Sequence, residues 1–394
     1  METILNTYFL LMRTRSVLLA LSIMLVLINA RGHSIAQNPK RPIWVYSPVH
    51  TRPFWEGDTV EGESVLFIKE TADGQAKASV LFPVQMILAV RNSAGDITYE
   101  EGRDYLWKEG EREIVLPADS RIVSRTPQDL RRPANSQKYK LTHRDGNGEI
   151  LFGAKLEYHD MQTCITYTHA PGLWKSTVPK FDDRALPRTI GKLRSKQPVS
   201  IVVVGDSISA GHNASGYSDG PPYQPPYPDL LQLHLAEHYQ TKVELTNLSI
   251  SGKDTQWALT MIDGITEKKP DLVIVAFGMN DSAGRSTKDY QANTQKLIAI
   301  VREKLPEAEF ILVASMLGNR DWITLHHERF PEYRDALKEL CQPGTALADM
   351  TSIWTEYLEL KKDWDQTGNG VNHPNDFGHR VYAQVIAALL VEPD

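Results

Sequence analysis

Between residues 198 and 394 five short apolar runs, VSIVVVG, KVELTNL, DLVIVAFG, EFILVASM and ALADM, are separated by segments of helical period. This alternation constrains the fold more than any other feature. Strands that alternate with helices return by crossover rather than by hairpin, which builds a parallel sheet with helices on both faces and right-handed connections. The helical segments include PDLLQLHLAEHY and the stretch from Asp289 to Leu305, where Leu297, Ile298, Val301 and Leu305 share a face. FGHRVYAQVIAALLV reads as a last amphipathic helix. In open α/β sheets ligands bind just outside the carboxyl ends of the strands, so the residues after each run are the ones to inspect.

Strand one ends in Gly205-Asp206-Ser207, strand two is followed by Ser251-Gly252-Lys253, strand three by Gly278-Met279-Asn280-Asp281, and Asn372-His373-Pro374 precedes the final helix. Each has a plain structural reading: a helix N-cap for Ser207, a turn glycine for Gly252, a turn or cap for Asn280-Asp281, a loop histidine for His373. Their order supports a chemical one. Ser207 is a candidate nucleophile that needs a base to take its proton, and His373 is the residue type that does so near neutral pH. The backbone N–H groups of Ser207 and Gly252 and the side-chain amide of Asn280 are candidate donors to an oxyanion.

The order GDS, Gly, GxND and a late His-Pro resembles the SGNH (GDSL-type) hydrolase family over residues 198–394, with Ser207, Gly252, Asn280 and His373 on its four signature positions. The resemblance implies a flavodoxin-like three-layer α/β/α domain that hydrolyses esters with neither a metal nor an organic cofactor. One position departs from the pattern. The aspartate the family places three residues before the histidine is Gly370 here. Either Ser207 and His373 act as a dyad with a backbone carbonyl holding the ring, or a carboxylate such as Asp365 or Asp363 reaches it. Asp206 matches the family's first block and is expected to fix the turn through backbone hydrogen bonds. His212 and His379 are expected in surface or capping roles, and Asp376 as the cap of the last helix. The segment GYSDGPPYQPPYPD, 216–229, is expected to form a rigid wall of the pocket, with Tyr217, Tyr223 and Tyr227 available to stack on sugar rings.

The amino-terminal half differs. SVLFIK, VQMILAV, REIVLP, AKLEYHD and TCITYTH are β-rich runs between turn signals, which implies an all-β sandwich over 38–174, immunoglobulin-like or jelly-roll-like. Residues 175–197 carry prolines and mixed charge and read as a linker or strap. At the start, Arg13 and Arg15 precede the apolar run Val17 to Ile28, and Ser34-Ile35-Ala36 offers a cleavage site before Gln37. That pattern predicts a signal peptide over 1–36 and a secreted or periplasmic mature chain with no stable membrane span.

A net charge of −6 supplies no polycationic surface for nucleic acid. The two cysteines, Cys164 and Cys341, exclude a disulfide framework. Asn213, Asn247 and Asn280 each start a glycosylation triplet, which matters only in a pathway that glycosylates. Exported members of the family with an amino-terminal β-sandwich resemble carbohydrate esterases, so the expected substrate is an acylated, above all O-acetylated, carbohydrate. The rivals are a lipid or aryl ester hydrolase of the same fold, a catalytically silent glycan-binding protein, and a two-metal phosphoesterase. The last lacks the early Asp-x-His and paired histidines such a centre needs.

Overall fold

The computed structural model describes residues 44–393. The expected signal peptide and its cleavage site fall outside the described residues. Among the described residues no helix is long and apolar enough to cross a membrane.

All five expected strands of the second half form: β1 Val199–Gly205, β2 Val243–Asn247, β3 Leu272–Phe277, β4 Glu309–Ala314 and β5 Thr345–Asp349. They pair in parallel in the order β2-β1-β3-β4-β5, the flavodoxin-like arrangement. Successive side chains of a strand point to opposite faces, and here both faces are covered. Ile201 and Val203 of β1 pack with the helices Pro187–Arg194, Tyr227–Tyr239 and Asp376–Ala387. Val202 and Val204 pack with Thr287–Lys304 and Arg329–Glu339. This gives the three-layer α/β/α domain. The helix Pro187–Arg194 lies inside the proline-bearing stretch 175–197, with Pro187 in its first turn, where a missing N–H costs nothing, and Ile190 and Leu193 buried.

The first half is β-rich. Thr163–Thr168 runs antiparallel between Thr59–Val65 and Met86–Asn92. A second sheet joins Leu106–Trp107, Glu113–Val115, Lys77–Ser79, Phe67–Ile68 and Ser124–Arg125, antiparallel except for its last pair. Val65, Val90, Ile165 and Tyr167 of the first sheet and Ala78 and Ile114 of the second meet in one core. AKLEYHD is not a strand: it forms turns and leads into the short 3-10 helix His159–Met161. Lys155 has φ of 51°, which breaks a ladder, and the segment lies against the groove described below.

The β-rich half and the α/β half share their interior. Phe54 packs edge-on against Trp174 and Tyr357, at centroid distances of 5.0 and 6.1 Å. Glu63 of the first sheet and Lys361 form a wholly buried ion pair of 2.6 Å. Tyr167 donates to the other oxygen of Glu63 at 2.7 Å, and Arg380 from the last helix donates to the carbonyls of Glu61 and Gly62 at 2.9 and 2.7 Å. Cys164 and Cys341 are free and partly buried.

Candidate active site

Ser207 stands where β1 leaves the sheet, beside β3, at the point where the strand order reverses. Gly205 is required there. A Cβ on it would lie 2.4 Å from Ser209 Oγ and 2.6 Å from the carbonyl oxygen of Ala276, so only glycine lets the following helix pack this closely. Asp206 accepts the N–H of Ile208 at 2.9 Å and caps the helix Ser207–Ala210, as expected. Burial, with Asp281 nearby, pushes its carboxyl up to about 7.

His373 lies across from it. Its Nε2 is 2.9 Å from Ser207 Oγ, and both residues are buried. The loop that carries it is pinned by Gly368 N–H and Thr367 Oγ, which donate to the His373 carbonyl at 2.9 and 3.1 Å. Burial, reinforced by His212 and His379, pushes the imidazole down to about 3, so the ring is neutral at ordinary pH, the form that accepts a proton.

Among the described residues no aspartate hydrogen-bonds to the far side of the ring. Asp363 pairs with Arg320 at 3.4 Å, and Asp365 accepts Leu66 N–H at 2.8 Å. Two asparagines are there instead. Asn213 Oδ1 lies 2.8 Å from His373 Nδ1, and Asn369 Nδ2 lies 3.0 Å from the same atom. Neither was legible as a site residue. Asn213 stood out only as the first residue of a glycosylation triplet, and nothing in its local sequence signals a role at His373.

The two remaining signature loops are held to the sheet and to each other. Ile250 N–H donates to Gly205 O at 3.1 Å, which brings the Ser251-Gly252-Lys253 turn alongside the strand that leads to Ser207. Asn280 Nδ2 donates to Lys253 O at 2.8 Å. Beneath them Asp281 accepts Thr255 Oγ1–H at 2.6 Å, and Arg285 bridges Asp281 and Asp254 at 2.7 and 2.5 Å. Gly252 is exposed, with φ of 74°.

His212 is a pocket residue rather than a surface or capping one. Its Nε2 is 2.6 Å from Ser251 Oγ and 3.1 Å from Tyr217 Oη, and its ring centroid is 5.1 Å from that of His373. His379 is wholly buried in the last helix and donates from Nε2 to the His212 carbonyl at 3.1 Å. Asn375, not Asp376, caps that helix, and Asp376 accepts Ser215 N–H at 2.7 Å. Tyr227 is fully buried and hydrogen-bonded to Ser209 at 2.7 Å, and of the three loop tyrosines only Tyr217 lines the groove beside His373. Tyr217 is half exposed and lines a groove of about 510 Å³ with Phe152, Lys155, His212, Asp219 and His373. Among the described residues no group of three or more histidine, cysteine or carboxylate side chains is placed to hold a metal ion.

Residues 203–381 match the model of the GDSL-like Lipase/Acylhydrolase family. No curated protein matches the chain. Among solved structures it is similar to a two-domain esterase (CEX) active on acetylated mannans, at 18% identity and a TM-score of 0.42. That match covers 54% of this chain and 53% of the other, so the chain spans about half the length of that esterase. The acetyl xylan esterase AlAXEase is similar at 21% identity and a TM-score of 0.39, covering 48% of this chain and 98% of that one. The lipase Lip_vut3 from a goat rumen metagenome is similar at 18% identity and a TM-score of 0.39, covering 48% and 96%.

Proposed function

We propose that the protein is an exported serine esterase that removes O-acyl groups, above all O-acetyl, from carbohydrate. The 2.9 Å contact between Ser207 Oγ and His373 Nε2 carries this reading. Ser207 Oγ attacks the ester carbonyl while its proton passes to Nε2 of the neutral imidazole. The oxyanion that forms is met by the N–H groups of Ser207 and Gly252 and the amide of Asn280. Collapse of the intermediate sends the Nε2 proton to the departing sugar oxygen and leaves an acyl group on Ser207. Water, deprotonated by the same imidazole, then releases the carboxylate. The groove beside His373 supports a sugar as the alcohol: it combines aromatic faces, Phe152 and Tyr217, with polar groups at Lys155 and Asp219, the mixture a hydroxyl-rich ring needs.

The test is acetate release from an aryl acetate and from an acetylated xylo-oligosaccharide, by the chain from Gln37, with and without EDTA and with Ser207→Ala alongside. Release from both by the wild type and from neither by the variant supports the reading. Release from the aryl ester alone favours a lipid or aryl esterase, and loss of activity in EDTA favours the two-metal alternative. Silence on both esters from folded protein leaves a glycan-binding role.

A further inference from the structure

A neutral imidazole carries one proton on one of two nitrogens, and only one choice leaves a base facing Ser207. With the proton on Nδ1, Nε2 presents its lone pair to Ser207 Oγ. With the proton on Nε2, the ring donates to Ser207 and takes nothing from it. The two asparagines at Nδ1 favour opposite choices. Asn213 offers an oxygen at 2.8 Å, which needs Nδ1–H, and Asn369 offers an N–H at 3.0 Å, which needs a bare Nδ1.

Neither amide is free to turn over. Asn213 Nδ2 donates to Gly368 O at 2.9 Å, so a reversed amide would set oxygen against oxygen. Asn369 Oδ1 accepts the N–H groups of Val371, Asn372 and His373 at 2.9, 3.0 and 3.2 Å. The contest is unequal, because Asn369 Nδ2 has a second acceptor in Asn372 Oδ1 at 3.1 Å and does not depend on the ring. Asn213 also makes the shorter contact.

We infer that Asn213 is the positioning residue that holds His373 in its Nδ1-protonated tautomer, a neutral amide standing where related enzymes use a carboxylate. The inference rests on the serine mechanism proposed above. An amide suits this place for a physical reason: the group must accept from the imidazole on one side and donate to the Gly368 carbonyl on the other, which a carboxylate does not do. Asparagine also tolerates the left-handed backbone at this position, φ 66°, where the chain turns back after the nucleophile's helix.

The experiment is ¹⁵N NMR of the histidine-labelled full chain, which distinguishes the two tautomers directly, together with kinetics on an aryl acetate. Wild type is expected to show His373 protonated at Nδ1. Asn213→Gly, which keeps the left-handed turn and removes the amide, is expected to move the proton to Nε2 and lower kcat by about 10²-fold or more, with KM changed little. Asn213→Asp restores an acceptor and is expected to restore the Nδ1–H tautomer despite losing the bond to Gly368. A wild-type ring protonated at Nε2, or a tautomer unchanged in Asn213→Gly, overturns the inference. If the glycine variant does not fold, the wild-type and aspartate spectra decide. Absence of esterase activity in the wild type counts against the proposed function, and the spectrum still reports on Asn213.

Discussion

A Cβ on Gly370 would lie 2.3 Å from the carbonyl oxygen of Leu151. The turn that presents His373 is thus packed directly against the β-rich half, at the position where the family pattern calls for an aspartate. With φ of 85°, Gly370 also holds a backbone conformation that side chains resist. Gly370→Asp is therefore expected to destabilise the protein by roughly 1–3 kcal/mol or more rather than complete a triad. Thermal denaturation of the variant checks this, and a variant as stable as wild type and more active would contradict it.

Asn369→Asp installs a carboxylate at the imidazole while leaving Asn213 in place. One oxygen would keep the three backbone N–H groups now held by Oδ1, and the other would replace the Nδ2 that sits 3.0 Å from Nδ1. An adjacent anion stabilises the protonated ring, so the His373 pKa should rise by about 1–3 units. The pH profile of kcat/KM should show its acidic limb moved to higher pH, with activity at pH 7.5 no lower than wild type.

In the wild type the acidic limb should lie far below that of an ordinary histidine. The base works only when unprotonated, and burial pushes His373 down to about 3, so its neutral fraction stays near one at pH 5. The cationic forms of the two histidines that face it, His212 and His379, are likewise disfavoured by burial. Asp206, pushed up to about 7, is the other titrating group at the nucleophile's turn. A limb near pH 6.5 that persists in Asp206→Asn would contradict the account.

Asn280→Ala should lower kcat by ~10²–10³ with a much smaller change in KM, because a hydrogen bond to the oxyanion exists only after attack. Losing the bond to Lys253 O also loosens the Gly252 turn, so Gly252 amide exchange should quicken in the same variant. Equal losses in binding and turnover would place Asn280 in substrate binding instead.

Tyr217→Ala should raise KM for the acetylated oligosaccharide several-fold and leave hydrolysis of an aryl acetate nearly unchanged. Tyr217 lines the groove that includes His373, and a small aryl ester has no sugar ring to stack on it. Equal effects on both substrates would remove the sugar-stacking role.

How much of this was legible in the sequence follows from the range of the interactions involved. The alternation of apolar runs and helical segments determined the parallel three-layer domain, because period and burial are local properties of a strand or helix. The same local logic put Ser207, Gly252 and Asn280 just past strand ends, His373 before the last helix, and Gly205-Asp206 at the turn that carries Ser207. The tertiary structure alone decided what surrounds His373. Asn213 reaches it across 160 residues, Gly370 excludes the expected aspartate through contact with Leu151, and Asp363 and Asp365 are drawn off to Arg320 and Leu66. His212, expected in a surface or capping role, lines the groove, and Tyr227, expected to line it, is in the core, for the same reason. AKLEYHD has the composition of a strand yet forms turns, with Lys155 in the left-handed region at φ of 51°. A hydrogen bond between distant residues needs only a donor and an acceptor at about 3 Å, and that distance is set by the packing of the whole chain.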